Sequence, residues 1–172
     1  MAGRIDAKLA ALGIELPPPP APIASYVGFN VVETMGDMGR RGGLVVISGQ
    51  IPLVAGKLAF TGKLGTPMDI KHGKAVSLEQ GQEAARLCFI NLLAQLKAAC
   101  GGDLDKVRKV VRLGGFIAAG PDFTQHALVM NGASDLAVAV FGDAGRHART
   151  TIGVPSLPAD APVEVEGLFE IG

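Results

Sequence analysis

The chain has 172 residues, enough for one domain of ordinary size. By surface-to-volume scaling it can withdraw roughly 70% of its unfolded surface from water, so its core requires neither disulfides nor a structural metal. With 48% hydrophobic and 19% charged residues, the composition excludes disorder as the state of the whole chain and points to a buried subunit interface. Sixteen basic residues balance sixteen acidic ones. The long-range attraction that nucleic acid exerts on a basic protein is missing, which disfavours nucleic acid as a partner.

The opening MAGRIDAKLAALG carries Ile5, Leu9 and Leu12 at helical spacing. It predicts a short amphipathic helix stopped by Gly13, without the apolar core of a secretory signal. LPPPPAP (16–22) predicts an extended polyproline arm, which divides the chain into a helix-and-arm appendage, 1–22, and a domain, 23–172. VGFNVVET (27–34) and LVVIS (44–48) predict two strands joined by a hairpin loop through the glycine-rich MGDMGRRGG (35–43). The second is apolar on both faces, as a central strand would be. GKLAFTGKLG (56–65) predicts a weaker strand or hairpin arm.

Ser77 and Gln80 have capping-box spacing before a helix whose stripe is Ala85, Cys88, Leu92, Leu96 and Ala99, ended by Gly101-Gly102. KVRKVVRLGGFIA (106–118) predicts a strand that bends, or meets another backbone closely, at Gly114-Gly115. A second helix starts at about Asn131 or Ser134 and runs to Phe141. Strands at about 149–154 and 162–171 follow. The order β-β-(β)-α-β-α-β-β predicts an α+β domain with its two helices on one sheet face. No uninterrupted apolar run approaches the roughly 20 residues of a membrane span, so no membrane association is expected. Cys88 and Cys100, twelve residues apart on one predicted helix, are some 18 Å apart by helical rise and cannot bond to each other. Reduced thiols suit a cytoplasmic setting.

Strong local signatures of chemistry are missing: the sequence has no GxSxG, HExxH, CxxC or Walker loop. His72, His126 and His147 have no partner at ligand spacing, so no metal is expected. What remains is HARTTIGVPSLPADAPVEVEG (147–167), where Arg149 opens a strand and Glu164, Glu166 and Glu170 alternate with Val163, Val165, Phe169 and Ile171 along the next. The residues alone allow two readings. The glutamates form a solvated edge with Arg149 in a surface ion pair, or these groups face a ligand.

Several segments together resemble the RidA/YjgF family of reactive-intermediate deaminases, formerly called endoribonuclease L-PSP. They are LVVISGQIP (44–52), NLLAQLKAACGGDLDKVRKV (91–110), and Arg149 followed by Leu157-Pro158 and VEVE (163–166). GASDLAVAVFGDAGRHAR (132–149) is similar to the YjgF/chorismate-mutase-like branch. The resemblance implies a chorismate-mutase-like α+β fold, a homotrimer with a cleft at each subunit boundary, and no cofactor. It also implies a small carboxylate ligand gripped by Arg149, with Glu164 activating water. Tyr26, Ser48, Gly49, Ser134 and Thr151 would line the ligand site, with Asn131 or Ser134 at the place of the family's helix asparagine.

Two positions depart from the family pattern: Thr151 stands where cysteine is usual, and Gly153 where glutamate is usual, which implies a wider or less charged pocket. The activity implied is hydrolysis of 2-imino acids to 2-oxo acids and ammonia. The alternatives are a non-catalytic carboxylate binder of the same fold and, with less support from the zero net charge, an endoribonuclease or translation inhibitor.

Overall fold

In a computed structural model, residues 3–19, 25–35, 41–65, 70 and 75–172 are described. Helix α1 is Arg4–Ala11; strands β1, β2, β3 and β4 are Phe29–Met35, Arg41–Gln50, Leu53–Val54 and Lys57–Leu58; helix α2 is Leu78–Ala99. Strand β5 is Val107–Ala118, helix α3 is Asn131–Phe141 after a short helical turn at His126–Val129, and strands β6 and β7 are Ala148–Val154 and Val163–Ile171. The five long strands form one sheet in the order β1-β2-β7-β5-β6. Neighbours are antiparallel except β5 and β6, which are parallel. The predicted hairpin is present in its arms, paired from Phe29↔Ile47 to Met35↔Arg41. Its turn lies outside the described residues, as do His72 and residues 20–22 of the proline arm. The weak strand of 56–65 is reduced to β4 in a two-stranded ribbon with β3.

Period-two alternation puts Val45, Ile47, Leu113, Ile117, Val163, Val165 and Phe169 on the face covered by α2 and α3. There they meet Phe89, Leu92 and Leu96 of α2 and Leu136, Ala137 and Val140 of α3. The predicted capping box forms: Ser77 accepts from the Gln80 backbone N–H, and the Gln80 side chain accepts from the Ser77 N–H. Helix α3 lies close against α2 because position 132 is glycine. A Cβ there would collide with the Gln82 carbonyl of α2, so this contact fixes where Asn131 and Ser134 sit.

Three expectations need correction. First, α1 is no appendage: Ile5, Leu9 and Ile14 are buried in the common core. Asp105 caps α1 from outside, its carboxylate accepting from the Arg4 N–H at 2.7 Å and the Ile5 N–H at 2.8 Å, while Lys97 pairs with Asp6 at 2.8 Å. Second, Gly114 and Gly115 make room for side chains, not backbone: a Cβ would meet the Glu166 carboxylate at one and the Met130 sulfur at the other. The register shifts of β5 fall earlier, at Val107/Lys109 and Val110/Arg112. Third, β2 is central by pairing but open on its second face. Val46, its neighbour Val32 and Ile152 of β6 are 49%, 52% and 47% exposed, so the chain leaves apolar surface on the helix-free side of its sheet.

The most apolar helical stretch, His126–Gly145, joins the short turn, the 11-residue α3 and a 3-10 turn. The continuous helix rises only about 16 Å, half of a hydrocarbon core. The Asp105 cap gives a first test. The two amide hydrogen bonds hold its carboxyl below the usual range, so the contribution of the charged cap to stability is present above the unfolded pKa and is lost as pH falls through the folded one. Asp105→Ala should speed amide exchange across residues 4–12 about five-fold or more at neutral pH, while α2 stays protected.

Candidate functional site

The predicted site residues fall into two clusters on opposite sides of the sheet. On the helix-covered side, Arg149 rises from β6, an edge strand, towards the first turn of α3. Its Nη1 donates to Asn131 Oδ1 at 3.1 Å and to Ser134 Oγ at 3.0 Å. Asn131 and Ser134, the two candidates for the helix asparagine, therefore both hold the arginine. These two bonds use both Nη1 hydrogens, and the guanidinium has no carboxylate partner among the described residues. Its Nε–H and Nη2–H edge remains as a two-pronged donor fork suited to a carboxylate. The surface ion pair expected as the alternative is not formed.

Thr151 shares this face of β6. Its Oγ1 is shielded from solvent and has no hydrogen-bond partner among the described residues. Gly153, two residues further, does not widen the pocket as expected: the His126 imidazole occupies the space where a side chain at 153 would stand, edge-on to Phe123 at 5.2 Å. His147 joins the same cluster, with Nε2 3.1 Å from Ser134 Oγ and Nδ1 2.7 Å from the Gly145 carbonyl. The two-residue step His147, Arg149, Thr151 was the available sequence signal for it. Metal-ligand spacing does not bring this histidine out.

On the open side, Glu164 and Glu166 lie on β7, the middle strand of the sheet, which overturns the solvated-edge reading. They differ sharply. Glu166 pairs with Arg112 at 3.0 Å, whereas Glu164 has no ion-pair partner among the described residues. Burial, and then the neighbouring Glu166 charge, push its carboxyl above the ordinary value of 4.5. Its carboxylate fits against Gly49, where a Cβ would overlap Oε1. Gly49 follows Ser48 at the irregularity in the β2–β7 register. Ser48 Oγ donates to the Val27 carbonyl at 2.7 Å and its N–H to the Gly28 carbonyl at 3.0 Å. This ties the segment of the exposed Tyr26 to Glu164.

Within one chain the clusters cannot act on one small molecule. Glu164 is level with Phe116 of β5 and hence with Ile152 of β6, three residues along from Arg149. Two strand spacings and three residues put their Cα atoms roughly 14 Å apart, and the odd offset sends the side chains to opposite faces. Gly49→Ala tests the open-side cluster. The displaced atoms are the far end of a flexible side chain, so the fold should survive with its melting temperature little changed. The carboxylate must move, and any reaction it serves should slow at least ten-fold.

The family model described as "YjgF/chorismate mutase-like, putative endoribonuclease" matches residues 6–170, which takes in most of α1. Protein TCP17 of Trypanosoma cruzi is 40% identical over 170 residues, 98% of this chain and 95% of that protein. Among solved structures, Atu1372 of Agrobacterium tumefaciens, of unknown function, is 42% identical with a TM-score of 0.81, over 98% of this chain and 92% of its own. A Shewanella oneidensis structure described in the same endoribonuclease terms is 32% identical with a TM-score of 0.83, over 97% of this chain and 99% of its own. The mixed sheet, the helices on one face and these matches agree with the motif resemblance, and the chain belongs to the RidA/YjgF, or YjgF/chorismate mutase-like, family.

Proposed function

We propose that the protein hydrolyses small 2-imino or enamino acids to 2-oxo acids and ammonia, without a cofactor. The clefts would be built between copies of a homotrimer, Arg149 coming from one copy and Glu164 from the next. The observation that carries this reading is the pre-held guanidinium with a free donor edge on the strand at the sheet's edge. It is ready for a carboxylate, yet Glu164, the glutamate proposed to activate water, lies on the other side of the sheet in the same chain. The apolar open face around Val32, Val46 and Ile152 supports the assembly, since association would remove it from water.

In the proposed cleft the substrate carboxylate lies along the Nε and Nη2 donors of Arg149, and the neighbouring copy's glutamate holds a water near the imine carbon. The water oxygen bonds to that carbon, the C=N π pair moves to nitrogen, and Glu164 takes the water's proton and passes it to the nitrogen. The same carboxylate then takes the proton of the adduct's hydroxyl and delivers it to the amino nitrogen, the oxygen pair forms the carbonyl, and the C–N bond breaks with its pair leaving on nitrogen. One water is consumed and one ammonia leaves. A carboxylate raised above its ordinary pKa is a stronger base than a solvated one and suits this two-way proton transfer.

The second reading, a carboxylate binder without turnover, is favoured by one feature: the His126 imidazole stands beside Gly153, where the family's deaminases usually have a glutamate. Ammonia release from 2-imino acids generated in situ separates the two readings, with binding of 2-oxobutyrate as the companion measurement. Turnover supports the enzyme, binding without turnover selects the binder, and neither result removes both. Light scattering should report three subunits. Val46→Asp, which puts a charge on the open apolar face, should shift the protein to smaller species and lower turnover at least ten-fold; a wild-type monomer would contradict the shared cleft.

A further inference from the structure

We infer that His147 is a positioning residue for Arg149, acting through Ser134 to fix the direction in which the guanidinium presents its free edge. The inference rests on the reading that Arg149 binds the ligand carboxylate. It follows from the direction of three hydrogen bonds. The Gly145 carbonyl can only accept, so at 2.7 Å it requires the proton on Nδ1 of His147. In the neutral ring this leaves Nε2 as an acceptor. Ser134 Oγ, 3.1 Å away, then donates its single proton to the imidazole and turns its lone pairs outward. Arg149 Nη1, which can only donate, is 3.0 Å from that oxygen. Without the imidazole the hydroxyl is free to rotate, and its proton can point at the guanidinium for part of the time.

A hydroxyl paired with an imidazole that a carbonyl orients in turn is also the geometry of an activated nucleophile. The guanidinium on the serine lone pair argues against that use, because the electrons a nucleophile would offer are already engaged. The device is local. The charged side chains adjoining it in sequence are Arg146, which pairs with Asp143 at 3.3 Å, and Asp135, which is exposed. The hydrogen-bond chain ends at the Gly145 backbone, in the 3-10 turn that follows α3. Asn131 supplies the second anchor on Nη1, so losing the serine anchor should loosen the arginine without releasing it.

The test measures 2-oxobutyrate affinity in wild type, Ser134→Ala, His147→Leu, His147→Gln and the Ser134→Ala/His147→Leu double variant, with Arg149→Lys as reference. His147→Leu should weaken binding about five-fold, the scale of one neutral hydrogen bond. His147→Gln, whose amide oxygen can accept in place of Nε2, should stay within about two-fold of wild type. The double variant should bind no worse than Ser134→Ala, since residues acting in series are not additive. A His147→Leu protein that binds like wild type, losses that multiply in the double variant, or a glutamine as damaging as leucine would each overturn the proposal. Imidazole nitrogen shifts of the wild type supply a readout that needs no ligand. A neutral ring protonated at Nδ1 is expected, and the opposite tautomer would overturn the inference even if His147→Leu fails to fold. If wild type and Arg149→Lys alike ignore 2-oxobutyrate, the reading of Arg149 as the carboxylate grip has failed instead, and the tautomer alone decides whether the hydrogen-bond chain exists.

Discussion

Arg149→Lys is expected to weaken binding of 2-oxobutyrate, a non-hydrolysable product-like ligand, about ten-fold or more and to reduce imine turnover at least as much. Lysine keeps the charge but offers three donors from one point, and it cannot serve Asn131, Ser134 and a two-oxygen ligand together as the planar guanidinium can. Losing one charge-assisted bond removes on the order of 1.5 to 3 kcal/mol. A surface arginine in a solvated ion pair would predict a nearly silent substitution, because such pairs contribute roughly 0 to 1 kcal/mol. Isothermal titration of both proteins distinguishes the cases, and equal affinities would remove Arg149 from the ligand site.

Glu164→Gln should lower turnover by roughly 10²- to 10⁴-fold, the usual contribution of a general base, and should also stabilise the protein at neutral pH. Burial raises the folded-state pKa of this carboxyl above its ordinary 4.5, so the folded chain binds the proton more tightly than the unfolded one. Stability is therefore lost as pH rises from the unfolded value through the folded one. The neutral amide escapes that loss. The variant should melt higher than wild type at pH 7, with the difference shrinking below pH 4.5. Glu166→Gln, which gives up the half-exposed pair with Arg112, should change both properties little. A stabilised but inactive Glu164→Gln would mark a residue kept for chemistry at a cost to the fold. A destabilised one would point to a structural role.

The elements were legible in the sequence wherever a local rule governs them. The Ser77–Gln80 capping box, the Gly101-Gly102 stop and the valine–glutamate alternation of 163–166 each state their own geometry. Long-range pairing decided what was misread. Nothing in VEVE says that β7 lies in the middle of the sheet, so its polar face passed for an edge. Nothing in LVVIS says that the second apolar face of β2 stays uncovered within the chain. The arm after α1 suggested a tether because prolines stiffen a chain, but burial of Ile5 and Leu9 and the cap from Asp105, a hundred residues away in sequence, dock that helix on the core. Arg149 and Glu164 were identified by motif, while their placement on opposite faces followed only from the β6–β5–β7 register. His147 is not legible from ligand spacing, because its place in the site is set by its approach to Ser134, thirteen residues away in sequence.

A cleft shared between copies is tested most directly by mixing two inactive variants. Arg149→Lys and Glu164→Gln chains are co-refolded in equal amounts, the hybrids are confirmed by native mass spectrometry, and ammonia release from 2-imino acids is followed beside the wild type and each variant alone. In a cyclic trimer, every hybrid has one boundary where an intact Arg149 meets an intact Glu164 from its neighbour. Random assembly leaves three quarters of the trimers hybrid, so about one quarter of the clefts, and of the wild-type rate, should return. Confirmed hybrids that stay as inactive as the separate variants, beside an active wild type, would contradict the account.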